Sequence, residues 1–295
     1  MPCSSKSPRQ KKPKTGLCKL TGQHGSYVNS HIIPAALTRL PTNGEKIVEA
    51  GIGLRTIRRP GSWYDNRLVI RTGEDILEAI DTIAIEILRE HKLIWSSGVA
   101  ETHLSTTDLL PVSENNGIRE ILIPRAKELQ CFFLSLLWRS AASERPEFSL
   151  ITLSAETLEN LRQRIERQEP GPFSDFPVQL FQIISRGIEH NRTPLLERKL
   201  IELESGVRRE VDYVRFYFDG LVAHAHISHK DSFDERYLNT CLRSDADTIV
   251  FVQEFKTSRA ASDIKLMVTA VNNESRTPDF PISAIAAAVR DAWRT

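Results

Sequence analysis

Three short stretches decide how the front of the chain folds: Cys18-Lys-Leu-Thr-Gly22, Ser30-His-Ile-Ile-Pro34 and Leu68-Val-Ile-Arg-Thr-Gly-Glu74. From Leu17 to Pro34 the apolar pieces are short and broken by Gly22 and Gly25, which predicts a hairpin or knuckle followed by an extended piece. The third stretch runs into a helical pattern. From Glu74 to Lys92, residues Ile76, Leu77, Ile80, Ile83, Ala84, Ile87 and Leu88 share one stripe at i, i+3, i+4, i+7 spacing. Thr72 is placed to cap that helix, and Glu74 and Asp75 in its first turn suit the helix dipole. The acids on its outer face read as solvated. Between the second and third stretches, residues 38–62 carry four glycines with Pro41 and Pro60. That is a long, basic, loop-rich insertion, and loops of such length are often functional.

Working outward, residues 1–16 are Ser, Pro, Lys and Gln with almost nothing apolar, and read as a disordered basic arm. Residues 93–116 look irregular. A second helix is expected over Ile118–Ser143, where Leu129, Phe132, Phe133, Leu136 and Leu137 crowd one side as core. A third is expected over Ala155–Gln168, started near Ser154 or Thr157 and stopped by Pro170-Gly171, and a fourth over Phe176–Ile188. Val211 to Ser228 then alternates with β-favouring residues around the hairpin signal Asp219-Gly220. Thr248–Phe255 and Lys265–Val271 read as two more strands, and residues 282–294 as a closing helix begun by Ser283. The fold class is α+β: a ββα module over 17–92, a helical region over 93–204, and an α+β domain over 205–295 with a small antiparallel sheet of about four strands and a helix.

Composition narrows the classes of function. The chain has 295 residues and is 40% apolar, enough for a sizeable core, so wholesale disorder is excluded. No window of 18 consecutive apolar residues is present, so no membrane span or membrane partner is expected. The N-terminus lacks the apolar core of a secretory signal. Four scattered cysteines suit a reduced cytosol, so a cytoplasmic location is expected. The net charge of +1 hides an asymmetry: residues 1–73 carry thirteen Lys/Arg against three acids, and the other 222 residues carry 26 against 35. A basic front on an acidic body is the footprint of contact with a polyanion, or of a tail that docks on its own body.

The three stretches resemble the HNH-type, treble-clef nuclease superfamily, in a branch whose pattern runs C-x-x-C-G, S-H-I-I-P, L-L-C-x-x-C-E and then a helix. The resemblance covers about residues 17–90. It implies a treble-clef-like ββα module and a divalent-metal-dependent endonuclease, with nucleic acid as partner and magnesium or manganese as cofactor. His31 lands on the general-base position. Glu74 lands on the metal-binding position of the helix, Ser30 stands where a metal-binding Asp is commoner, and Asn66 matches the middle Asn. The structural zinc of this branch needs four thiolates. Only Cys18 is present, with Thr21, Ile70 and Gly73 at the other places, so no structural zinc is expected. The knuckle must then be held by packing of Leu20, Val28, Ile32, Leu68 and Ile70. Phosphate contacts fall to Arg55, Arg58, Arg59, Arg67 and Arg71.

Other readings stay open. His31 also fits a buried histidine bonded to a backbone carbonyl. The module also fits a catalytically inactive nucleic-acid-binding fold, or an interaction protein whose C-terminal domain takes a protein partner. In that domain His224, His226 and His229 form H-x-H-x-x-H, with the first two on one strand face, able to reach one cation or merely lining a polar face. Asp247 or Asp234 with Glu254-Phe-Lys256 resembles a PD-(D/E)xK nuclease core, or else makes a cross-strand ion pair.

Overall fold

The computed structural model describes residues 14–38, 47–50, 57–59, 63–98, 104, 108–187 and 190–265. The front begins with a hairpin, β1 (Thr15–Leu17) against β2 (His24–Ser26). The expected arm over 1–16 therefore ends earlier, at the first strand. β3 (Ser30–His31) follows. β4 (Ile47–Ala50) and β5 (Ile57–Arg59) pair antiparallel inside the stretch read as a loop-rich insertion. β6 (Tyr64–Asp65) leads into helix α1 (Arg71–Glu90). α1 starts two residues before the position set by the expected Thr72 cap: Ile70 is its N-cap, without a side-chain cap bond, and the Thr72 hydroxyl bonds Gln23 instead.

The middle of the chain alternates strands with helices. β7 (Leu109–Ser113) and β8 (Asn116–Ile121) precede α2 (Ala126–Ala142), so the helix expected from Ile118 begins eight residues later. α3 (Ala155–Arg167) matches expectation closely: Ser154 accepts the Thr157 N–H as N-cap, and Gln168 closes the helix with a left-handed C-cap. The expected fourth helix over Phe176–Ile188 is a strand, β9 (Val178–Ile183). Then come β10 (His190–Arg192), which runs parallel to β4, β11 (Leu195–Glu202), β12 (Arg208–Phe218), β13 (Leu221–His226), the short helix α4 (Glu235–Leu238) and β14 (Thr248–Gln253). Residues 259–265 are helical. The strand expected at Lys265–Val271 is therefore not begun at Lys265; its remainder and the closing helix over 282–294 lie outside the described residues.

The expected small sheet of about four antiparallel strands is instead a seven-stranded mixed sheet in the order β11-β12-β13-β9-β14-β8-β7. All of its pairs are antiparallel except β9 with β14. The physical reason is that the region read as helical supplies four of its strands. β9 lies at the sheet centre, buried on both faces, so its sequence carries no alternation to betray it. α2 packs against α1, α3 and β13, and fourteen of its 17 residues are buried. One cluster of buried residues runs from Cys18 in the front, through α1, α2 and α3, to Val250 in β14.

Candidate active site at the start of the first helix

Strand pairing fixes the geometry of the front. Ser30 pairs with Asp65 and His31 with Tyr64, antiparallel. The Ile32 N–H donates to the Trp63 carbonyl at 2.9 Å, Val28 N–H to Val69 at 3.2 Å, and Tyr27 bridges to Ile70. The chain passes from β6 into α1 within six residues, so the first turn of α1 comes up beside β3. Glu74 sits in that turn and Asp81 follows seven residues later, two turns on and on the same side.

This arrangement brings Ser30, His31, Glu74 and Asp81 together around one guanidinium. Arg139, 1% exposed on α2, donates from Nη1 to the His31 carbonyl at 3.0 Å and to Asp81 Oδ2 at 2.9 Å. Its Nη2 donates to Asp81 Oδ1 and to the Ser135 hydroxyl at 2.7 Å. The His31 backbone is thus clamped, while its half-buried ring lies edge-on to Tyr64 with centroids 6.4 Å apart. Burial and then Arg139 push the His31 imidazole below its usual pKa, with Asp81 opposing, so it is neutral at pH 7. Burial raises the Glu74 carboxyl, against the pull of Ser30 and Arg139. Burial also raises Asp81, opposed by Arg139. Ser30 lies within polar reach of Glu74, yet neither the Ser30 hydroxyl nor Glu74 Oε2, both buried, has a well-formed hydrogen bond among the described residues.

The knuckle positions converge as well. Cys18 is buried, and its thiol accepts the Thr21 N–H at 3.4 Å. Gly73 presses on it so closely that a Cβ at residue 73 would stand 2.8 Å from Cys18 Sγ. Ile70 packs over Gly25. Lys19 donates to the Ala142 carbonyl at the end of α2, and Arg162 of α3 donates to Leu20 O, so the knuckle is bound to the helices behind it.

Other expected residues are placed differently. Asn66 is exposed in the turn after β6. Its neighbour Asp65 is the buried one, accepting from Arg67 N–H and from the Ser143 hydroxyl. Arg67 is exposed. Arg71 is engaged by Asp75 at 2.5 Å and Glu78 at 3.1 Å on its own helix, which spends its charge locally. Arg58 and Arg59 lie on β5, and Arg55 lies outside the described residues. The three tail histidines separate: His224 and His226 share the inner part of β13, whereas His229 is exposed beyond the strand and caps a short turn. Asp247 and Glu254 flank opposite ends of β14, Lys256 is exposed past it, and Asp234 caps α4, so these four form no joint site. Among the described residues no group of three or more His, Cys, Asp or Glu side chains could hold a metal ion, and no helix is long and apolar enough to cross a membrane.

Asp81 and Arg139 were not expected at the site. The signal for Arg139 is present in the sequence as a single charge closing the apolar run Cys131–Trp138. Comparison with known proteins returned no matching protein-family model, no matching curated protein and no matching solved structure.

Proposed function

We propose that the front module is a phosphodiester-cleaving site of the HNH-like, treble-clef type, acting on nucleic acid with a divalent cation. The observation that carries this reading is the convergence of Ser30, His31 and Glu74 where β3 meets the first turn of α1. The order β3, β6, α1 and the gathering of residues 18, 21 and 73 around one thiol support it. Structural zinc has no part in it, because three of the four thiolate positions carry Thr21, Ile70 and Gly73.

The residues fit a cation that takes most of its ligands from water and phosphate, as magnesium and manganese do. Ser30 Oγ and Glu74 Oε2 are buried oxygens with unused acceptor capacity, and they would hold it. When bound, such a cation offsets charge that develops on the phosphate oxygens. His31 takes the proton of the attacking water, a task for which its depressed pKa keeps the ring unprotonated. Arg139 and Asp81 hold the strand that carries it.

The test is cleavage of single- and double-stranded DNA and RNA with magnesium or manganese. His31→Ala should lower cleavage about 10²–10⁴-fold with folding and affinity retained, because a base acts on the transition state and adds little to ground-state binding. Glu74→Ala should raise the manganese concentration needed. A His31→Ala protein cleaving at the wild-type rate would end the assignment. The second reading, a nucleic-acid-binding module without cleavage, is favoured by Ser30 in place of an acid. It is the outcome if the wild type binds in a salt-sensitive way and cuts nothing.

A further inference from the structure

We propose that Tyr64 is a base-stacking platform beside His31, and that the substrate of the front module is single-stranded nucleic acid held by an unpaired base on that ring. The proposal rests on the cleavage reading and adds to it the strand type and a specificity-determining residue. β3 and β6 pair antiparallel, and His31 stands directly opposite Tyr64. The next pair along, Ile32 with Trp63, is closed by a backbone hydrogen bond of 2.9 Å, so His31 and Tyr64 form the intervening pair that is not bonded across the ladder. Side chains of such a pair share one face and lie close together. The two ring centroids are 6.4 Å apart, edge-on at 67°.

The same pairing leaves both carbonyls outside the ladder, and an arginine takes each. Arg139 donates to the His31 carbonyl at 3.0 Å, and Arg145 donates to the Tyr64 carbonyl at 2.7 Å. Arg145 is itself fixed: its Nε and Nη2 donate to the two Glu147 oxygens at 3.2 and 2.5 Å. Its guanidinium carbon lies 6.0 Å from the centre of the Tyr64 ring, at the limit of a cation–π contact. The preceding residue, Trp63, is buried and packs edge-on against Phe148, with centroids 6.1 Å apart. Residues 145–148, just after α2, thus mount Tyr64 as α2 itself mounts the histidine.

Tyr64 is nevertheless 44% exposed. A ring held in place and left open to water loses little freedom when a base lies on it, which is what a stacking surface requires. A nucleotide carries its base and its phosphate on one sugar. A base stacked on Tyr64 therefore delivers the adjoining phosphodiester towards the imidazole beside it.

The geometry of stacking selects the strand type. Inside a duplex both faces of a base are covered by its neighbours, so only an unpaired base can lie on Tyr64. Every base has a π-face, so sequence preference should be weak. The ring carries no charge, so it adds nothing to the salt dependence, which stays with the phosphate contacts.

The experiment measures binding of the full chain, with chelator present so that nothing is cut, to one labelled oligonucleotide sequence as single strand and as blunt duplex, in DNA and in RNA. Wild type should bind the single strand more tightly than the duplex. Tyr64→Ala should weaken single-strand binding about 5- to 150-fold, the value of one base stacked on an aromatic ring, with the salt slope and duplex binding unchanged. Tyr64→Phe should bind as wild type, and Tyr64→Leu, of similar bulk but without a π-face, as Tyr64→Ala. The Phe and Leu variants keep the comparison readable if the Ala variant melts early. The proposal is overturned if wild type binds the duplex as tightly as the single strand or more tightly, if Tyr64→Leu binds single strands as wild type does, or if Tyr64→Phe loses as much as Tyr64→Leu. His31→Ala should keep the ring-dependent binding. A wild type that shows that binding but cuts nothing in magnesium or manganese ends the cleavage reading and keeps the platform. Cleavage of single strands that Tyr64→Leu leaves unimpaired, in rate and in affinity, does the reverse.

Discussion

Arg139 is a buried charge that lies against three elements at once: it closes on Asp81 of α1, on the His31 carbonyl of β3 and on Ser135 of its own helix. A guanidinium so deep is tolerable only because each of its faces meets an acceptor, and removing one partner strands the other. Asp81→Asn or Arg139→Met alone should therefore cost about 3–5 kcal/mol in denaturant unfolding, and the double change Asp81→Asn with Arg139→Met less than the sum. The two singles should also move His31 in opposite directions in an NMR titration, Arg139→Met raising its pKa and Asp81→Asn lowering it. A His31 pKa that ignores both would show that the clamp does not reach the ring. Ser30, His31 and Glu74 were legible in the sequence because a local pattern carries them. Asp81 was not: on a helical wheel it falls with the polar residues, and only the arrival of α2 from 58 residues away turns that side inward.

The hairpin between β12 and β13 shows an element whose turn chemistry is local. Asp219 and Gly220 both have positive φ, 49° and 80°, the backbone of a two-residue turn matched to strand twist. Gly220 has a second reason to be glycine: a Cβ there would stand 2.4 Å from the Trp95 indole nitrogen, whose N–H donates to Ile183 O. Gly220→Ala should destabilise by at least about 2 kcal/mol through combined backbone strain and overpacking, with Asp219→Asn far milder. A melting temperature unchanged by Gly220→Ala would contradict the packing of Trp95 against the turn. That turn, the Ser154 cap and the apolar stripe of α1 were readable because each is a short-range pattern. β8 and β9 were not. Val178–Ile183 is mostly apolar, with Gln179 and Gln182 three apart and no alternation, and a strand covered on both faces cannot be told from a buried helix by periodicity. Only the partners on either side, β13 and β14, make it a strand.

At the scale of the whole molecule, the charge asymmetry of the sequence does not mark a separate body, since one buried cluster joins the basic front to the sheet. The same burial sets how stability should respond to acid. His31, His91, His224 and His226 all have pKa values pushed below the ordinary 6.5, each chiefly by desolvation. Below pH 6.5 the unfolded chain takes up protons that these folded sites refuse, so it binds more protons than the native state, and unfolding free energy falls as the pH is lowered. Glu74 and Asp81, raised by burial, act in the opposite sense, two carboxyls against four imidazoles. Between pH 7.5 and 5.5 the histidines should win, and the melting temperature should drop. His224→Phe keeps a ring between Phe181 and Tyr213, whose centroids lie 4.5 and 4.3 Å away, while removing one of the two imidazoles with the largest depression. That variant should melt with a shallower dependence on pH over the same interval. A wild-type melting temperature that stays level or rises on acidification would mean that these imidazoles are hydrated in the native state and that the sheet face is open to water.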